Sequence, residues 1–406
     1  MDFNDTPQEA EFRAGARAFL SKHRKPLKPG EANSMLSERD DPDTIKAAKE
    51  WQACKKDNGW ACLTWPKEFG GRDATAIQSV IWNQEEAKYQ VPPNVFGIGI
   101  GMLGPTIMAH GTPEQKSKHL EKMARGDEIW CQLFSEPAAG SDLAGLRTSA
   151  VKSGDTWTIN GQKIWTTGAH FSKWGMIVTR TDPNVAKHAG LTYFIVDRKA
   201  PGVEIRPIKQ INGGSGFNEV FFSDVKVPDS DRIGRVGDGW RVALTTLMNE
   251  RASIGGGGGG FRAEDLIRVA REAELHGKPA IEDGAVRQKI ADFYIRSAGL
   301  KYTGYRTLTA LSKGTTPGPE SSIGKLVGAP LNQQVASFAI ELQGFAGSAQ
   351  GDAQDAYLGS PGLRIAGGTD EIMRNILAER VLRLPPEPRL DKDTAFKDVP
   401  TGPPTK

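Results

Sequence analysis

The chain has 406 residues, 38% hydrophobic and 25% charged, with a formal net charge of +3 at pH 7; this length exceeds a single hydrophobic core and predicts two or three packed domains. Lys and Arg alternate with Asp and Glu, which argues against a nucleic-acid partner, and no apolar run approaches the roughly eighteen residues of a membrane span. The start, Met1-Asp2-Phe3-Asn4-Asp5, lacks a basic and then apolar leader, and Cys54, Cys62 and Cys131 lack metal-ligand or CxxC spacing, so a cytoplasmic location and no bound metal are expected.

Residues 1–130 read as helical. Phe12, Ala16, Phe19 and Leu20 recur at i, i+4, i+7 and i+8, and Thr112-Pro113-Glu114-Gln115 supplies an N-cap, a first-turn proline and a capping acid. Residues 131–235 read as a β domain, with β-prone runs at Thr156-Trp157-Thr158-Ile159, Met176-Ile177-Val178-Thr179, Thr192-Tyr193-Phe194-Ile195-Val196 and Val220-Phe221-Phe222. Asn160-Gly161, before Lys163-Ile164-Trp165, predicts a hairpin turn because both positions tolerate positive φ. Residues 236–384 return to helical spacing, and the proline-rich tail, 385–406, is expected to be loosely ordered or to lie along the surface. The six glycines at 255–260 are either a flexible linker or a place where a helix lies close to a neighbour or ligand. Gly97 and Gly101 would share a helix face, leaving either empty pocket volume or tight packing against a neighbour.

Four segments carry a more specific signal: Trp130-Cys131-Gln132-Leu133-Phe134-Ser135-Glu136-Pro137-Ala138-Ala139-Gly140-Ser141-Asp142, Lys163-Ile164-Trp165-Thr166-Thr167-Gly168, Phe217-Asn218-Glu219-Val220-Phe221-Phe222 with the later Val227-Pro228, and Gly367-Gly368-Thr369-Asp370-Glu371-Ile372-Met373-Arg374. In this order they resemble the motifs of the acyl-CoA dehydrogenase family. The resemblance implies an α+β fold with a helical N-terminal domain, a β-barrel-like middle domain and a C-terminal four-helix bundle. It further implies FAD shared between subunits of a homotetramer, or of a heterotetramer with a related subunit. An acyl-CoA substrate and an electron-transferring flavoprotein as acceptor follow from the same resemblance. A flavin oxidase of the nitroalkane oxidase type and a non-catalytic partner subunit are the alternatives on this fold.

By position, the family's FAD contacts fall on Gln132, Phe134, Ser135, Ser141, Trp165, Thr166, Thr167, Gly344, Gly347, Thr369 and Glu371, and its substrate contacts on Ser141, Arg251 and Gly367. Taken alone, the hydroxyls would serve as strand and turn residues and Trp165 as core. The family's adenine-side motif is not recognisable between Arg262 and Val286, and Glu341 stands where many members carry glutamine.

Abstracting a proton beside a thioester carbonyl needs a carboxylate within reach and hydrogen-bond donors on the carbonyl oxygen, and no side chain accepts hydride, so a cofactor must. Many members place the base where this chain has Gly367. Another branch carries it on a helix immediately before an arginine, and Met248-Asn249-Glu250-Arg251 resembles that pattern. Glu250 is therefore the expected base. Trp240, Ala243, Leu244, Leu247 and Met248 form an apolar stripe with Glu250 at its edge, where partial desolvation would strengthen the carboxylate as a base. The bland alternative is an exposed helix acid or a simple ion pair.

Overall fold

The computed structural model describes residues 5–28, 41–255, 261–312, 318–389 and 391–400, which fall into two compact units. The first opens with helices α1 (Pro7–His23), α2 (Pro42–Asp57), α3 (Ala76–Glu86), α4 (Gly104–His110) and α5 (Pro113–Arg125). Phe12, Ala16, Phe19 and Leu20 form the buried face of α1, packed with Trp51, Trp60 and Trp82 into an aromatic cluster. Each of α1, α3 and α5 begins at a threonine whose side chain closes a reciprocal capping box. In α5 the partner of Thr112 is Gln115, while Glu114 adds negative charge to the first turn.

The β region contains β1 (Trp130–Leu133), β2 (Ser149–Ser153), β3 (Thr156–Thr167), β4 (Trp174–Arg180), β5 (Leu191–Asp197), β6 (Val203–Ile208), β7 (Phe217–Pro228) and β8 (Arg232–Ile233). They form one eight-stranded sheet ordered β6-β7-β3-β2-β4-β5-β8, with β1 parallel to β4. One sheet face is filled by Cys131, Leu133, Trp157, Ile159, Ile177, Phe194 and Val220. The other shares a core with Leu103, Ile107, Leu120 and Met123 of the N-terminal helices and with Val242 and Ala243 of α6 (Gly239–Gly255).

The sheet corrects the hairpin expected at Asn160-Gly161. Strand β3 runs straight through these residues, and the register shift in its pairing with β7 between Ile159 and Gly161 puts the extra residue on β7, where Ser223 and Asp224 stand opposite Asn160 and Asp224 takes a φ of 52°. A β-carbon on Gly161 would lie 2.6 Å from the Thr148 α-carbon. The glycine thus answers a close strand approach, and the turn lies earlier, at Gly154 with φ of 58° between β2 and β3.

The second unit holds α7 (Asp265–Glu272), a short hairpin of β9 (Glu274–Leu275) and β10 (Lys278–Pro279), α8 (Gly284–Ser312), α9 (Ser322–Gln343), α10 (Asp352–Leu363) and α11 (Asp370–Ile376). Leu266, Val269, Val286, Phe293, Leu331 and Val335 make its core. The side chain of Arg251 and residues 256–260 of the glycine run lie outside the described residues. Residues 387–389 and 391–400 return to the first unit, and 395–397 lie along its β region, where Phe396 N–H donates to the Val185 carbonyl at 2.9 Å. Among the described residues, no helix is long and apolar enough to cross a membrane.

Candidate active site

Strand alternation sets the site. Trp130 and Phe134 face the helix-covered side of the sheet and Cys131 and Leu133 the other, which places Gln132 on the helix side. There its amide donates to Glu250 Oε2 at 3.4 Å. Glu250 stands on α6 four residues after Thr246 and seven after Ala243, both fully buried, so it prolongs that buried face and is itself half-buried. Thr246 anchors the helix through its hydroxyl, 2.9 Å from Thr106 Oγ1 and 3.0 Å from the Tyr193 hydroxyl. The stripe expected on α6 is narrower than its sequence: Leu244 and Met248 are exposed, because the buried face centres on Val242, Ala243 and Thr246 and these two lie off it.

The segment from Phe134 to Glu136 is fixed to β3 by a buried ion pair. Lys163, fully buried, donates to the Phe134 carbonyl at 2.9 Å and to Glu136 Oε1 at 2.8 Å. Glu136 also accepts from the backbone N–H groups of Arg147 at 2.6 Å and Thr148 at 3.0 Å. Burial pushes the Glu136 carboxyl up, but the Lys163 charge and these donors outweigh it and hold it below the usual range. Burial pulls Lys163 down from its usual range against the opposing pull of Glu136, and with three donors on the carboxylate the geometry favours the ionised pair. The Ile164 N–H donates to the Ser135 carbonyl at 2.9 Å, which sets Ser135 beside the next residues of β3.

Those residues break the strand. Pairing with β7 shifts again between Lys163 and Thr166, and Trp165 takes a φ of 59°, a strained value for a bulky side chain worth about 1–3 kcal/mol. The bulge turns Trp165 outward, 56% exposed and edge-on to Phe217 at 6.0 Å. Thr167 is exposed, whereas Thr166 is buried and its Oγ1 lacks a hydrogen-bond partner among the described residues. A solvent-facing indole with neighbouring Ser and Thr hydroxyls, one of them buried and unpartnered, fits the edge of a planar heteroaromatic ring such as a flavin. Gly140 and Ser141 lie exposed in the following loop.

In the second unit Thr369 caps α11, its hydroxyl accepting from the Ile372 N–H at 3.2 Å. Gly367 and Gly368 have φ of 65° and 95°, the left-handed turn that leads into this cap. Of the two acids of the closing motif, either of which could compete with Glu250 as base, Asp370 is buried and takes the Arg364 guanidinium at 2.7 Å, and exposed Glu371 pairs with Arg374 at 3.2 Å. Gly344 has a φ of 55° with open space where a β-carbon would point, while a β-carbon on Gly347 would meet the Ile340 carbonyl at 2.8 Å. Glu341 accepts from the Ser337 hydroxyl at 3.3 Å.

The sequence pattern missed the Gln132–Glu250 contact and the π-helical turn Gly99–Leu103, in which Ile100 gives its carbonyl to Trp65 Nε1 at 3.1 Å. The glycines that pack tightly there are Gly99, against Trp130 and Met123, and Gly104, against Trp65. Gly97 has only Asn94 within 4.0 Å of a β-carbon.

Comparison with known proteins matches the N-terminal, middle and C-terminal domains of acyl-CoA dehydrogenase to residues 6–127, 131–225 and 237–382. The chain is 40% identical over 337 residues to acyl-CoA dehydrogenase FadE34 of Mycobacterium tuberculosis, covering 82% of this chain and 46% of the relative, so it spans under half of FadE34. Acyl-CoA dehydrogenase IpdE1 of the same organism is 36% identical over 396 residues, covering 93% of this chain and 98% of the relative. Among solved structures, the Tcur3481-Tcur3483 steroid ACAD is 27% identical with a TM-score of 0.77, covering 95% of this chain and 100% of that one. With three domain matches in order and these relatives, the chain belongs to the acyl-CoA dehydrogenase family, a family of FAD-dependent oxidoreductases.

Proposed function

We propose that the chain is a catalytic dehydrogenase that oxidises the α,β carbon pair of an acyl-CoA to the trans-2-enoyl-CoA, with electrons leaving to an electron-transferring flavoprotein. The carrying observation is Glu250, a half-buried carboxylate on the inner face of α6 that Gln132 contacts at 3.4 Å. A non-catalytic partner subunit needs no such acid, and Gly367 supplies none.

In this reading Ser135, Trp165, Thr166 and Thr167 hold FAD, with Gln132, Phe134, Ser141, Gly344, Gly347, Thr369 and Glu371 as further contacts. FAD supplies the hydride acceptor that the side chains lack. Glu250 removes the α-proton onto its carboxylate once bound substrate has displaced water. The Gly367 N–H donates to the thioester oxygen and stabilises its developing charge, while Ser141 and Arg251 bind the substrate. The bulge at Trp165 supports the cofactor assignment, since strain of this kind persists where function uses it.

For the acyl group we infer a long, branched or ring-bearing chain. The likeness to the Tcur3481-Tcur3483 protein, a steroid ACAD, supports this. The assembly is a dimer of dimers, of one chain or of two related chains as in the paired name Tcur3481-Tcur3483, and light scattering reads it directly. A monomer that keeps FAD and full activity would overturn that assembly.

The test of function is turnover of the FAD-loaded protein with butyryl-CoA, straight long-chain, branched and steroid-side-chain CoA thioesters and an artificial electron acceptor. Turnover fastest with a bulky thioester and without stoichiometric hydrogen peroxide supports the proposal. Faster turnover of butyryl-CoA removes the large-acyl inference, peroxide at one per turnover makes the protein an oxidase, and no turnover with any thioester removes the catalytic reading.

A further inference from the structure

We propose that the tail of residues 391–399 is a strap that positions the Ser141 loop for ligand binding, clamping it through Lys187, Arg180 and Phe396; the inference rests on the assignment of Ser141 to FAD or acyl-CoA. The loop has little structure of its own. Gly140, Ser141 and Asp142 are exposed, and the following turn is held by two backbone hydrogen bonds, from Gly145 N–H to the Asp142 carbonyl at 2.9 Å and from Leu146 N–H to the Leu143 carbonyl at 3.1 Å.

Two side chains reach the loop, one from the segment between β4 and β5 and one from the end of β4. The Lys187 ammonium lies 3.0 Å from both oxygens of Asp142 and 2.5 Å from Asp391 of the tail. One cation, with only 12% of its side chain exposed, is thus shared between loop and strap. The second is Arg180, buried at the end of β4. Its Nη2 donates to the carbonyls of Ala144 at 2.5 Å and Leu146 at 3.3 Å, and its Nη1 to the Lys187 carbonyl at 2.5 Å. Phe396 covers this guanidinium at 3.7 Å from its ring centroid, with Arg147 at 5.5 Å. A cation sealed from water by an aromatic face holds its carbonyl partners more tightly.

The tail is itself fixed by backbone: Ala395 bridges Ala186, Phe396 N–H donates to Val185 and Lys397 N–H to Pro183, both at 2.9 Å. Arg180 and Lys187 therefore couple the strap to the turn that follows Ser141. Removing Phe396 opens Arg180 to water, and removing the Asp391 charge frees Lys187. Both changes loosen residues 141–146 while the sheet stays intact.

The experiment compares the full-length FAD-loaded protein with Phe396→Ala, Asp391→Asn and their combination. It reads amide hydrogen exchange at 141–146, exchange in β4 and β5 as a control, and dissociation constants for FAD and for coenzyme A. Exchange at Gly145 and Leu146 should rise about tenfold in the double variant with β4 and β5 unchanged, the scale expected for losing a few local contacts. At least one of the two dissociation constants should rise by about threefold or more. Unchanged exchange at 141–146 would overturn the strap. Faster exchange with both constants unchanged would overturn its positioning role. Ser141→Ala tests the underlying assignment separately: if that variant binds FAD and coenzyme A as the parent does while the strap variants alter binding, the Ser141 role fails and the strap stands.

Discussion

Replacing Lys163 with Met removes a buried ammonium that has two partners and leaves Glu136 charged in a site built to neutralise it. The Phe134 carbonyl loses its 2.9 Å donor and Glu136 its 2.8 Å partner, while the Arg147 and Thr148 N–H groups remain. Breaking one side of a buried pair costs roughly 3 to 5 kcal/mol, more than the pair's net worth, because the surviving charge stays desolvated. Urea unfolding followed by circular dichroism measures the loss. Adding Glu136→Gln removes the stranded charge and should recover at least about 1 kcal/mol, a coupling that a double-mutant cycle isolates. The same variant should weaken FAD retention, since Lys163 joins the Ser135 segment to the strand carrying Trp165. If Lys163→Met unfolds within about 1 kcal/mol of the parent, or the double variant is no more stable than the single one, the pair does not lock this corner as argued.

Two further changes follow from the geometry. Gly161→Ala brings a β-carbon within 2.6 Å of the Thr148 backbone at a φ of 149°, so a loss of about 1–3 kcal/mol in chemical unfolding is expected, and a neutral effect would mean that the Thr148 backbone gives way freely. Glu85 is buried, and although burial pushes its carboxyl up, hydrogen bonds from Arg17, Lys88 and Arg13 outweigh this and lower it from 4.5 to about 2. A lowered folded-state value means that its contribution is full above pH 4.5 and lost as the pH falls towards 2. Glu85→Gln should therefore flatten acid unfolding across that window, and an unchanged slope would remove Glu85 as a cause.

The fold could be read from the chain because its signals are local. The α1 periodicity, the Thr112 cap and the β-rich runs each specify their own element, and four separated motifs kept family order. What failed depended on neighbours distant in sequence. Asn160-Gly161 has the composition of a turn, yet pairing with β7 and the approach of Thr148 keep it inside β3. Leu244 and Met248 share helical spacing with buried residues, but what packs against α6 decides which face is covered. Within the site, the motif residues Ser135, Ile164 and Lys163 are brought together by the β3 register, whereas the contact between Gln132 and Glu250 spans 118 positions and leaves no local pattern. The tail showed only prolines and charges, and its Phe396 acquires a role solely through Arg180.

The catalytic reading turns on Glu250 as the base. Glu250→Gln keeps the shape of the side chain and removes its ability to take a proton, so turnover of the FAD-loaded variant, with the best thioester of the panel, is the direct measurement. Turnover should fall at least about a hundredfold, the low end for lost general-base catalysis, with the flavin-to-protein ratio and the unfolding midpoint unchanged. Near-normal turnover with FAD in place would contradict the assignment and turn attention to Glu371.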